Sequence, residues 1–177
     1  VGKIKEILVP AGSLDRTALD RMLSEESLDR IIEMLKTHRM YPVLAREFPY
    51  ARESGSFSRM ENELFKQFYT EIIAEAESGI KGGNLFLDFI KLDIDIKNIK
   101  TLFRLRADTF EEDARDMHIA GGALLASDFA NVNAIRDQVE FIDQLKAKIR
   151  QKLLLSLLDE MKNEKTIRDV EIRLTRV

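Results

Sequence analysis

Residues 119–124 read IAGGAL, and residues 10–14 read PAGSL. Laying Gly12 on Gly122 sets an offset of 110 positions, and that offset also pairs Leu14 with Leu124, Leu19 with Phe129, Ile31 with Phe141, Ile32 with Ile142 and Leu35 with Leu145. It still holds at Glu61 with Glu171 and Leu64 with Leu174, without insertion or deletion. Self-similarity at one fixed spacing marks a duplicated structural unit. The pairing predicts a complete helical repeat over 1–110 and a partial second copy over 111–177. Because the second copy stops opposite Gln67, the sequence reads as part of a longer helical protein.

Outward from the glycine-rich turns, the periodicity is helical. Ile4–Val9 fits a short strand or a helix end. Ser13 is placed to cap a short helix through Leu19 and Met22, and Ser24 to cap the next, with Glu25 and Glu26 where the helix dipole favours negative charge. Leu28, Ile31, Ile32 and Leu35 then recur at helical spacing on one face. Pro42, Pro49 and Gly55 predict an irregular stretch over 41–57. Ser58-x-x-Glu61 is a capping box, and its helix carries Met60, Leu64, Phe65, Phe68, Ile72 and Ile73 until Gly79 and Gly82-Gly83 end it. Asn84 is placed to cap the longest helix, over 85–107. Thr109-x-x-Glu112 is a second capping box, Asn133 is placed to cap a helix through Val139, Ile142, Leu145 and Ile149, and 166–177 reads as a last helical segment. The fold class is all-α, built of repeated helical-bundle units.

Composition agrees. Of 177 residues, 45% are apolar and 33% charged, with three prolines, eight glycines and no tryptophan, which disfavours a loop-rich β fold. The absence of cysteine excludes disulfides and thiolate metal sites. A net charge of −3 does not favour nucleic acid. The longest apolar stretch, Leu153–Leu158, is interrupted by Ser156 and falls far short of the roughly 20 residues that span a bilayer. From Lys146 onward nine basic residues alternate with five acids and no aromatic residue, the pattern of a solvated helix face rather than a base-stacking surface.

Catalytic constellations do not emerge. There is no phosphate-cradling glycine loop and no dinucleotide fingerprint. His38 and His118 are the two histidines, one in each copy. Asp93-x-Asp95-x-x-Asn98 fails the calcium-loop pattern, which needs glycine at its sixth position and a later glutamate. On a helix, Asp95, Asn98 and Leu102 share a face beside Ile96, Ile99 and Phe103. Two readings stay open: a structural polar network of Asp95, Asn98 and Arg104, or a solvated helix edge. No cofactor is implied.

Residues 89–106, FIKLDIDIKNIKTLFRLR, resemble the repeat signature of the C subunit of archaeal A-type ATP synthases, known as the d subunit in the V-type proton pump. Asp95, Asn98, Ile99, Leu102, Phe103 and Arg104 match that signature position by position, and the two glycine-rich turns resemble the openings of its repeats. The resemblance implies a part, the middle repeat and some of the last, of a pseudo-threefold, funnel-shaped helical protein. It implies a non-catalytic rotor subunit, peripheral on the cytoplasmic face of the membrane. Its partners would be the central-stalk subunits and the membrane rotor ring, in ion transport linked to ATP synthesis or hydrolysis. Competing readings are a general helical scaffold that binds a partner helix and a helical hydrolase using Asp93, Asp95 and His118. A chain cut inside its last repeat is also expected to self-associate through Val170, Ile172 and Leu174.

Overall fold

The computed structural model describes residues 4, 7–78, 83–107, 114–162, 169, 172 and 174. Among these, the elements are α1 (Arg16–Ser24), α2 (Leu28–Met34), α3 (Tyr41–Ser54), α4 (Ser58–Glu77), α5 (Gly83–Ala107), α6 (Ala114–Met117), α7 (Ala126–Asn133), α8 (Gln138–Lys148) and α9 (Lys152–Met161). Apart from a single bridge between Ala11 and Leu14, no sheet pairing occurs among the described residues. The chain forms two compact units, Val1–Leu64 and Phe65–Val177.

In the first unit the caps differ from the sequence expectation by a few residues. Ala11 and Leu14 exchange backbone hydrogen bonds of 3.1 and 3.0 Å around Gly12, whose φ is +56°. That closed turn places Ser13 before the helix, so Asp15 caps α1, its carboxylate accepting from Ala18 N at 2.7 Å. Ser24 ends α1, its hydroxyl donating to Arg21 O, and Ser27 caps α2. The irregular stretch expected over 41–57 is mostly the helix α3. Pro42 lies in its first turn, where a missing N–H costs nothing. Pro49 is inside the helix, on its exposed side, while Val43, Glu47, Phe48 and Ala51 form the buried side that holds it. Gly55, in the left-handed region at φ +70°, ends it. Buried Glu47 accepts from Arg46 Nε at 2.6 Å and Arg59 Nε at 2.9 Å. Burial pushes its carboxyl up, and the two arginines more than offset that, holding it below the ordinary range. Ser58 is the first residue of α4 rather than its cap, since Glu61 N donates to Phe57 O.

The second unit is organised around α5. Its residues Ile90, Ile94, Ile96, Ile99, Leu102 and Phe103 are buried, together with Asp95 and Asn98. Such a helix, buried on most of its circumference, is a core element rather than a surface one. Ile96, Ile99, Leu102 and Phe103 share one cluster with Leu124 of the turn before α7 and with Phe129, Val132, Phe141, Ile142, Leu145, Leu154 and Leu158 of the α7–α9 layer. Ile90 and Ile94 join Tyr69 and Ile119 in a second cluster, with Phe65, Phe68, Ile72 and Ile73 packed beside it. The start of α5 is different: Leu85 and Phe89 are exposed. Asp137, not Asn133, caps α8, accepting from Glu140 N at 2.8 Å. Leu174 belongs to the first cluster and is buried, against the expectation that it lies open, whereas Ile172 is exposed. Gly79, Gly82, Val170 and the Thr109–Glu112 box lie outside the described residues, as does most of the segment expected to be helical over 166–177.

Helix starts in the two units keep a common register. Arg16 and Ala126, which open α1 and α7, are 110 positions apart, as are Leu28 and Gln138, which open α2 and α8. Tyr41 and Lys152, which open α3 and α9, are 111 apart.

Candidate functional site

The polar constellation of this chain sits where α5 meets the segment from Ile119 to Leu124. Asp95 and Asn98 are fully buried, one helical turn apart. Asn98 engages both backbone groups of Ile119: Nδ2 donates to Ile119 O at 2.8 Å, and Ile119 N donates to Oδ1 at 2.9 Å. A side-chain amide places a donor beside an acceptor, so it can pair with an extended peptide unit as a neighbouring strand would. Asp95 Oδ1 accepts from Ala123 N at 2.8 Å and Leu124 N at 3.2 Å, and Gln151 Nε2 donates to Oδ2 at 3.1 Å. Two residues of α5 thus satisfy the backbone of a turn that carries no regular pairing of its own.

Two glycines make this approach possible. A Cβ on Gly122 would stand 2.2 Å from Asp95 Oδ1, so any side chain there would expel the carboxylate. Gly121 has φ +111° and would place a Cβ 2.6 Å from Ile73 Cδ1. On the far side of the turn, His118 Nε2 lies 2.7 Å from Leu124 O. A carbonyl can only accept, so Nε2 carries the proton. The His118 ring also meets Phe129 edge-on.

Electrostatically, Asp95 is a buried carboxylate without an arginine or lysine among its bonded partners. Burial pushes its pKa up, and the bonds from Leu124, Gln151 and Ala123, with the nearby His118, only partly offset that. The bonds orient the group against the Ala123–Leu124 backbone. Asp93, two residues earlier, faces elsewhere and accepts from the Tyr69 hydroxyl. Burial first, then that bond, pushes the Tyr69 phenol up. Asp93 and Asp95 therefore do not converge on a shared site. His118 and Asp95 meet the same turn, each through a different backbone group. Among the described residues no group of three or more acidic or histidine side chains could hold a metal ion.

Arg104 occupies an exposed position on α5. Nine residues of helix turn through about 180° beyond two full turns, so Arg104 projects from the face opposite Asp95. Arg106, two residues on, reaches the α7–α8 connection. It donates to Ile135 O, to Arg136 O at 2.9 Å and to Gln138 Oε1 at 3.3 Å, and its guanidinium lies over the Phe141 ring. Arg106 thereby satisfies carbonyls in the α7–α8 connection. Gln151 and Arg106 are the members that sequence reasoning misses. Gln151 is 56 positions from Asp95 with no periodic cue to join them. Arg106 is signalled only by its place in the last turn of a long helix, where cations meet free carbonyls.

No helix among the described residues is long and apolar enough to cross a membrane. A family model described as ATP synthase (C/AC39) subunit matches residues 1–177. The C subunit of the A-type ATP synthase of Methanosarcina acetivorans is 33% identical over 149 residues, covering 82% of this chain and 39% of that protein. Proteins of the same description from Archaeoglobus fulgidus and Methanococcoides burtonii are 33% and 34% identical, covering 67% and 71% of this chain and 33% and 34% of their own lengths. The chain thus spans less than two fifths of these curated relatives. No solved structure matches it significantly.

Proposed function

The chain belongs to the ATP synthase (C/AC39) subunit family, and from that premise we propose that it is part of a non-catalytic rotor subunit. The whole protein couples the central stalk of an A/V-type ATP synthase or ATPase to the membrane rotor ring, in ion transport linked to ATP synthesis or hydrolysis. The observation that carries this reading is the family match along residues 1–177. We place the protein peripherally, on the cytoplasmic face. Residues 1–110 form one helical repeat and 111–177 part of the next, within a pseudo-threefold funnel. The shared register of α1–α3 with α7–α9 supports that division.

The physics of the α5 contact suits such a role. A torque-transmitting body needs helices that keep their relative positions under load. Buried, fully paired polar groups fix register more tightly than apolar packing does, because a slip leaves donors and acceptors unpaired. Asp95 and Asn98 fix α5 against the Ile119–Leu124 turn in this way. Among the described residues, Asp95 and Asn98 bond chiefly to backbone groups, with Gln151 the one side chain among their partners, which favours a mechanical part over a catalytic one.

The test uses the intact protein in its complex. Assembled with stalk and ring, it should co-purify with both. Omitting it should leave ATP hydrolysis by the catalytic head intact while ion pumping is lost. An intact protein that hydrolyses ATP alone, or a complex that pumps normally without it, would overturn the proposal.

A further inference from the structure

Leu124 is held at both of its backbone polar groups by side chains that titrate. Its N–H donates to Asp95 Oδ1 at 3.2 Å, and its C=O accepts from His118 Nε2 at 2.7 Å. Asn98 fixes the other end of the turn through the backbone of Ile119, the residue after His118. The imidazole is thereby tied at its base and its tip, and it rests edge-on against Phe129. Its other nitrogen, Nδ1, takes no part in the Leu124 bond, and His118 is only half-buried. A second proton can therefore be taken at Nδ1 with the Nε2 bond kept, and donation from an imidazolium is the stronger bond.

Asp95 is fully buried, and its Oδ1 takes both backbone bonds, from Ala123 and Leu124. Oδ2 takes one bond, from Gln151 Nε2, and Oε1 of that same amide is buried without a partner. A proton on Oδ2 leaves an oxygen that still accepts from Gln151, and it adds a donor beside an acceptor that lacks one. Other charged groups on the surrounding elements are directed elsewhere. On α5, Asp93 accepts from Tyr69, Lys97 lies over the Phe65 ring and Lys91 is exposed. Lys66 of α4 donates to Asp116 O, and the side chains of α6, Arg115 and Asp116, are exposed. Asp128 of α7 pairs with Lys148 of α8, and Arg150 and Lys152, which flank Gln151, are exposed. Burial pushes the Asp95 carboxyl up, and His118 is the titratable side chain near enough to draw it back down.

We infer that Asp95 and His118 hold one proton between them across Leu124, and that losing it loosens the grip of α5 on the Ile119–Leu124 turn. With the proton on Asp95 Oδ2, no charge is buried. With it on His118 Nδ1, an imidazolium and a carboxylate are tied to the same residue. The fully deprotonated pair leaves a carboxylate buried without a cation, the costliest of the three states. In the unfolded chain the two groups titrate separately in water, so the folded pair keeps its shared proton to higher pH. The contact is therefore tight on the acid side and weakens as pH rises through the loss of that proton. This latch concerns the α5 contact alone and is indifferent to what the assembled protein couples. Its failure would leave co-purification with the ring and stalk unaffected.

Two measurements test this. In the first, which needs no variant, NMR follows the carboxyl carbon of Asp95 and the ring of His118 from about pH 4 to about pH 9. Each signal should report both deprotonation steps, as coupled sites do. In the second, protection of the Ala123 and Leu124 amides, corrected for intrinsic exchange, is compared between about pH 5 and about pH 8. It should fall about tenfold, the factor that one unit of differential proton affinity gives. Ala18, bonded to Asp15 in the other unit, should not change. His118→Gln keeps a donor for Leu124 O but takes no proton, so Asp95 must hold the proton alone and the fall should move to lower pH. Asp95→Asn should abolish the fall. Two independent single-step titrations would overturn the inference. So would protection that does not fall with pH, or a fall that His118→Gln leaves in place.

Discussion

The helices α1 and α7 begin 110 positions apart, yet their N-termini are held by different means. At α1 the residue before the helix is Asp15, which caps its own helix, and the preceding turn closes on itself through Ala11 and Leu14. At α7 the same place is taken by Leu125, exposed and unable to cap, and the preceding turn instead donates to Asp95 of α5. The first arrangement is local and survives as long as its own dozen residues do. The second is tertiary: it ties a helix start to a residue about thirty positions upstream, so turn, helix layer and α5 stand or fall together.

That contrast can be broken at several points, and chemical denaturation of each variant reads the result. Asp95→Leu should cost the most, about 3–5 kcal/mol, because it strands Ala123 N, Leu124 N and the Gln151 amide in a buried place at once. Asn98→Leu should cost about 1–3 kcal/mol, leaving both peptide groups of Ile119 without partners. Gly122→Ala forces the new methyl against the Asp95 carboxylate and should cost about 1–3 kcal/mol through the same displaced bonds. Gly12→Ala, with open space around it, should cost only the strain of a left-handed alanine, about 1 kcal/mol. Asp15→Ala should likewise cost about 1 kcal/mol, a single helix cap. If Asp15→Ala proved as damaging as Asp95→Leu, the distinction between local and tertiary anchoring would collapse.

The smallest effect sharpens the comparison through pH. Asp95 titrates above the ordinary carboxylate range when folded, chiefly because it is buried. The native state therefore binds its proton more tightly than the unfolded chain does. Its ionisation penalty is absent below the unfolded pKa and grows as pH rises towards the folded one. Asp95→Asn keeps an acceptor for Ala123 and Leu124 and can donate to the Gln151 carbonyl oxygen, which is buried without a partner. Relative to Asp95→Asn, the native protein should thus lose stability as pH rises through that window. A difference that instead grows in favour of Asp95 with pH would show that its bonds outweigh its burial.

Much of this is legible in the sequence, for definite reasons. Polar Asp95 and Asn98 interrupt an apolar stripe on a long helix, and such positions demand partners. The glycines at 121 and 122 advertise close backbone approach, although only the structure shows that Asp95 is what approaches. Arg104 matches the family signature, but helix geometry turns it away from Asp95. The prolines of α3 mislead because their cost depends on position: Pro42 lies in a first turn, and Pro49 is outvoted by Val43, Phe48 and Ala51. Asp137, rather than Asn133, caps α8 because α7 runs on through Asn133 before the turn. Local signals mark that a helix starts nearby better than they choose among adjacent capping residues.

The most direct test is native-state hydrogen exchange at three amides, Ile119, Ala123 and Leu124, compared with Ala18. We predict that the first three exchange only with opening of the α5 contact. Asp95→Leu should then speed Ala123 and Leu124, and Asn98→Leu Ile119, while Ala18, bonded to Asp15, keeps its native rate. If the three amides exchanged as fast in the native protein as in an unfolded peptide, or were unaffected by both substitutions, α5 would not be what holds this turn.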